Sequence, residues 1–129
     1  MTMNPFQHVD LRVHDLDEAW LFYSQILPAV GFGEGWKSKL FQGFDAPGSP
    51  PGQAWFGFIE DKDHEANANR ISFWAESREK VDEISALLAG AGALNISGPR
   101  ECPEYSPTYY AVFFADPSGN CLEVCHHTD

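Results

Sequence analysis

Three sets of side chains in this chain could carry chemistry. The first is a carboxylate in apolar company: Glu123 lies between Leu122 and Val124, where a buried charge needs a partner. The second is the thiols. Cys102, Cys121 and Cys125 are an odd, spread set, and Cys121 with Cys125 makes C-x3-C rather than the C-x2-C of a zinc knuckle. No His stands at a recognisable spacing from them or from the scattered Ser residues, so nucleophilic catalysis has no support. The third is aromatic: Trp55, Phe56, Phe58, Trp74, Tyr105, Tyr109, Tyr110 and Phe113 exceed what two helices must cover. Trp74 falls on the opposite side from Phe73 and Ala75 by alternation, as a pocket wall does. Glu101–Thr108 is a long loop before a strand, of the kind that rims a pocket. Phosphate-cradling glycine loops and nucleophile elbows are absent.

The elements that must position these groups come as two copies of one pattern. In Phe6–Val13, Val9, Leu11 and Val13 alternate with His8, Asp10 and Arg12, which is a half-buried strand. In His14-Asp15-Leu16-Asp17-Glu18 an Asp near the start of the next run signals a helix N-cap, and the apolar residues Ala19, Phe22, Tyr23, Ile26 and Leu27 recur at helical spacing. Pro28 and Gly31-Phe32-Gly33 close that helix. About 62 residues on, Ile71, Phe73 and Ala75 repeat the strand, and Val81, Ile84 and Leu88 repeat the helix within Ser77–Gly90. Short aromatic runs follow each helix: Trp36–Phe44 and Ala54–Glu60, then Tyr109–Phe114 and Asn120–Cys125. The loop at Asp45–Gly52 and the tight turn at Asp116–Gly119 separate the runs. Each half therefore reads β-α-β-β-β, with the first strand of the trio left open. Asp61–Asn69 links the halves. A half of about 60 residues buries little surface alone, so the expectation is one α+β domain over residues 1–129, with modules at about 5–61 and 69–127.

Composition bounds the partners. Eight Lys and Arg stand against 19 Asp and Glu, a formal charge of −11, which opposes nucleic acid and anionic membrane surfaces. No run of about 18 apolar residues exists to span a bilayer, and the first ten residues lack the form of a signal peptide. Free thiols fit a reducing compartment, so a cytoplasmic protein is expected.

Four segments resemble the vicinal oxygen chelate superfamily, the group of glyoxalase I, bleomycin-resistance proteins and extradiol dioxygenases. They are His8–Val13 with Asp15 and Asp17; Phe22-Tyr23 through Leu27 to Phe32; Tyr109–Phe114; and Asp116–Asn120 followed by Leu122-Glu123-Val124. The resemblance implies duplicated βαβββ modules curled into an open cup with the helices outside, and commonly a homodimer. It also implies a divalent metal (Zn, Ni, Fe or Mn) held by a His on the first strand and a Glu on the last strand of each module, where it would act as a Lewis acid.

Carried over residue by residue, the resemblance makes His8 and Glu123 metal ligands, with Glu123 also the proton-moving catalytic group; Glu60 is a second candidate for that role. It makes Arg12, Trp55, Arg70, Trp74, Tyr105 and Tyr109 contacts for a small organic molecule, with lyase or dioxygenase chemistry as the catalytic version. The chain departs from the pattern at two positions. The second-module His position holds Arg70, which does not ligate metal, and the last strand of the first module reads Trp55-Phe56-Gly57-Phe58-Ile59-Glu60, aromatic or Gly at mid-strand. Two partners for Glu123 stay open: a metal, or Arg70 in a bidentate pair. A guanidinium there would repel a divalent ion by ~8 kcal/mol at ~4 Å, which supports the alternative of a metal-free binding protein that sequesters its ligand. His127 shares the face of Glu123 and is expected in a frayed tail.

Overall fold

The computed structural model describes residues 4–129, which divide into two compact units, one ending at His64 and the other starting at Glu65. The first contains β1 (His8–Val13), α1 (Leu16–Val30), β2 (Gly35–Lys37), β3 (Phe41–Asp45) and β4 (Trp55–Glu60). The second contains β5 (Arg70–Trp74), α2 (Arg78–Ala91), β6 (Leu94–Glu101), β7 (Tyr110–Ala115) and β8 (Cys121–His126). Each unit is one helix against one open, mixed, four-stranded sheet, in the orders β1-β4-β3-β2 and β5-β8-β7-β6. The duplicated βαβββ reading holds in element order and in topology. The structure resolves the strand left open in each trio: the run from Trp36 to Phe44 is a hairpin of β2 and β3, and β6 fills the same place in the second unit.

Both helices follow from local chemistry. The Asp15 carboxylate accepts from the Glu18 N–H at 2.8 Å, and the Ser77 hydroxyl accepts from the Lys80 N–H at 3.0 Å. Each cap stabilises its helix by about 1 kcal/mol. Gly31 and Gly92 end the helices with φ of 112° and 97°, a left-handed conformation that favours glycine. Pro28 does not stop α1 as expected: the helix runs two residues further, to Val30. Pro28 is exposed in the last turn, and there its ring costs the helix a single N–H donor.

The cores lie between helix and sheet. In the first unit Phe22, Tyr23, Ile26 and Leu27 of α1 are fully buried, and the Tyr23 ring stacks on Phe58 of β4 at 4.8 Å. In the second, Val81, Ile84 and Leu88 of α2 share a core with Val112, Phe114, Leu122 and Val124. These residues alternate along their strands, so each sheet turns its other side away from its own helix. Those two open faces hold the candidate site residues.

Candidate functional site

The open face of the second unit is set by register. Arg70, Ser72 and Trp74 of β5 pair with Cys121, Glu123 and Cys125 of β8, and Glu123 in turn pairs with Phe113 of β7. Paired residues share a face, so Arg70, Trp74, Phe113 and Glu123 stand together on the side away from α2. Glu123 is 5% exposed, and its Oε2 accepts a hydrogen bond from the Tyr109 hydroxyl at 2.5 Å. The partner of Glu123 is therefore Tyr109. The expected Arg70–Glu123 ion pair is not formed: Arg70 stands two residues along the sheet from Glu123 and lays its guanidinium over the Phe113 ring, 4.9 Å from the centroid. Arg100 of β6 lies over the same ring at 5.1 Å.

Tyr109 is held by its surroundings. Burial pushes its phenol up, and hydrogen bonds to Cys125 and Glu123 push it further, because each neighbour favours the O–H over a second negative charge. Cys125 also lies 3.3 Å from the Ser72 hydroxyl. The Glu123 carboxylate is thus buried against the Tyr109 hydroxyl, and on the same face the Cys125 thiol meets the exposed Ser72 hydroxyl. Cys102 packs into the same cluster, and burial raises its thiol. It is no disulfide partner for Cys125: the two sit two strands apart, ~9.6 Å of sheet against the ~7 Å that a disulfide tolerates.

An aromatic row borders this cluster. The His127 ring lies between Trp74, at 4.8 Å, and Tyr109, at 5.2 Å, and Tyr105 continues the row 5.1 Å beyond Tyr109. His127 is therefore a seated member of the face and not the frayed end expected. Nearby, Asp129 accepts from Ser106 and Thr108 at 2.9 and 2.6 Å, which ties the tail to the loop after β6. Ring-to-ring seating of this kind has no one-residue signature in sequence. The only available hint is that His127 has the parity of Glu123. Trp74 and Tyr105 stay 64% and 56% exposed, open to a bound molecule.

In the first unit, His8, Asp10 and Arg12 of β1 are exposed on the open face, paired with Trp55, Gly57 and Ile59 of β4. The His8 ring stacks on Trp55 at 4.7 Å, contacts Gln7, and has Nε2 3.5 Å from Asp10. Trp55 Nε1 is buried with no hydrogen-bond partner among the described residues. Gly43 leaves the backbone bare for Trp36, since a Cβ there would come within 2.6 Å of the indole. Glu60 is misplaced by the proton-transfer reading. It has the parity of Phe56 and Phe58, and its Oε1 accepts from the Leu16 N–H at the start of α1. Its carboxylate serves the helix end and not the open face.

The donor chemistry does not suit a resident metal. Where the first unit starts its first strand with His8, the second has Arg70, a permanent cation. One Glu123 oxygen, Oε2, accepts from Tyr109, and Glu60 is committed to α1. Among the described residues no three His, Cys, Asp or Glu side chains group together as metal ligands.

The chain belongs to the Glyoxalase/Bleomycin resistance protein/Dioxygenase superfamily, whose family model matches residues 6–124. Members of this superfamily commonly bind divalent metals. YqjT of Bacillus subtilis is 26% identical over 127 residues, covering 91% of this chain and 94% of that protein. Among solved structures, a glyoxalase/bleomycin resistance protein from Albidiferax ferrireducens superposes with TM-score 0.78 at 24% identity, covering 97% of this chain and all of that one. The fosfomycin resistance protein FosX of Listeria monocytogenes does so with TM-score 0.74 at 22% identity, covering 98% and 96%. At these identities the structures establish a shared fold. No helix among the described residues is long and apolar enough to cross a membrane.

Proposed function

We propose that the protein binds a small organic molecule on the open face of its second unit, and does so without a resident metal. The observation that carries this is the buried Glu123 carboxylate, held by Tyr109 beneath exposed aromatic rings. A charge kept there costs stability, and a ligand that donates to it gives the charge a use. Trp74, Tyr105 and Tyr109 supply flat apolar contact, and Arg70 supplies a cation at the rim. Arg12 and Trp55, with His8, lie on the open face of the first unit and are proposed, for that unit by itself, as contacts for a small organic molecule. No lyase or dioxygenase step is assigned to His8 and Glu123, because the donor set does not suit the ion such a step needs.

Tryptophan emission tests the reading, since Trp74 lies exposed against His127. Titration with a panel of small neutral and charged organic molecules should give a saturable change with at least one compound, largely lost in Trp74→Phe. A panel that produces no saturable change sinks the proposal.

We also propose that the chain pairs as a homodimer, in the cytoplasm that its free thiols suit. Leu94 and Ile96 are 44% and 40% exposed on β6, which lies at the edge of its sheet and offers both apolar side chains and unpaired backbone. Sedimentation should give a species of about twice 14.4 kDa at micromolar concentration, and a clean monomer would count against pairing.

A further inference from the structure

We infer that Arg70 and Arg100, flanking Phe113, form a seat for an oxyanion, and that the ligand of the second unit is a small carboxylate or phosphate that also bears a hydroxyl or ammonium group. This rests on the binding reading above and assigns the ligand its chemical class.

The first observation is an unpaired cation in an acidic chain. Other basic side chains of this unit have carboxylate partners: Arg78 meets Glu101 at 3.0 Å, Lys80 meets Glu83 at 3.3 Å and Arg100 meets Glu104 at 3.2 Å. Among the described residues the Arg70 guanidinium has no ion pair and no hydrogen bond, only the Phe113 ring. With 19 acids available in the sequence, a free arginine on this face is not the result of a shortage.

The second observation is geometric. Phe113 is 8% exposed, and both guanidinium carbons lie about 5 Å from its ring centroid. Contact with the ring holds a guanidinium in place and leaves its five N–H donors for other partners. Arg100 already shares its donors with Glu104, but both side chains are exposed, and such a surface pair is weak enough to yield to a ligand oxygen.

The third observation selects the second group of the ligand. Glu123 pairs with Phe113 across the β7–β8 ladder, on the face that carries Arg70. A bare anion drawn to Arg70 would meet this carboxylate. A ligand with a donor next to its oxyanion satisfies both: the oxyanion accepts from Arg70 and Arg100, and the hydroxyl or ammonium donates to Glu123.

The experiment follows Arg70 Nε–H and neighbouring amide resonances of the full chain while acetate, glycolate or inorganic phosphate is added at fixed ionic strength. Glycolate should bind saturably and about tenfold more tightly than acetate, which lacks the donor. Arg70→Gln should weaken it about tenfold, while Arg78→Gln, outside the seat, should not. Glu123→Gln should bring glycolate and acetate to near equality, with near-UV circular dichroism confirming the fold. Stronger binding of phosphate than glycolate, still lost in Arg70→Gln, identifies the oxyanion as a phosphoryl group. Absence of saturable shifts, or binding that Arg70→Gln leaves unchanged, overturns the inference. If neutral compounds still quench Trp74 saturably in that case, the binding reading survives alone; if they do not, both fall.

Discussion

Phe58→Ala should lower the unfolding free energy by about 3–5 kcal/mol, the range for a large aromatic removed from a core that cannot collapse around the gap. Phe58 is fully buried on β4, which is paired on both sides, and its ring stacks on Tyr23 of α1 at 4.8 Å. Neither strand neighbours nor helix can move in without breaking ladder hydrogen bonds, so the cavity persists. Against a typical total of about 5–15 kcal/mol, such a loss leaves little of the folded state in reserve. Phe41→Ala, at a residue 37% exposed on β3, should cost well under half as much. Urea unfolding of the two variants checks the ranking, and a Phe58→Ala cost below about 1 kcal/mol would contradict the packing described.

Tyr109→Phe carries the second large effect. It removes only the hydroxyl that donates to Glu123, and a hydrogen bond to a charged group contributes about 1.5–3 kcal/mol. The loss should fall toward the upper end, because a buried carboxylate is left without that donor. The substitution also has a pH signature. The folded protein raises the Tyr109 phenol above its ordinary value of 10.0, so the folded chain holds a proton that the unfolded chain releases. This stability is fully present below pH 10.0 and is lost as pH climbs beyond it toward the folded value. Wild type should therefore lose stability more steeply than Tyr109→Phe above that pH. Parallel curves from chemical denaturation across the alkaline range would show that Tyr109 is not held as described.

Much of this architecture is legible in the chain because it is written in short periods. Val9, Leu11 and Val13 alternate, Phe22, Tyr23, Ile26 and Leu27 recur at helical spacing, and both signals return in the second unit. Strand β6 is harder to see. Its residues are nearly all exposed and it contains Gly98-Pro99, so neither alternation nor apolar content marks it. The site is legible only in part. Parity puts Glu123 and Trp74 on the open face, but the partner of Glu123 depends on which strand lies alongside. Tyr109 immediately precedes β7, which pairs directly with β8, and reaches back along that ladder to Glu123, whereas Arg70 lies over a ring two strands away. Electrostatic matching by charge alone pairs Arg70 with Glu123; the Phe113 ring takes the guanidinium instead. Pro28 shows the reverse case, where a strong local signal yields because its side of the helix faces water.

The turn between β7 and β8 bears on how this lineage can change length. The Asp116 carboxylate is fully buried and accepts from the N–H groups of Ser118 and Asn120 and from the Asn120 amide, which holds the four-residue turn to one geometry. A single inserted residue there would advance β8 by one step. Leu122 and Val124 would then turn outward, and Glu123 and Cys125 would be driven against α2. Insertions and deletions should therefore be purged from this turn across descendants, while the exposed loop from Ala46 to Gln53, which holds no strand in phase with a buried charge, is free to lengthen and shorten.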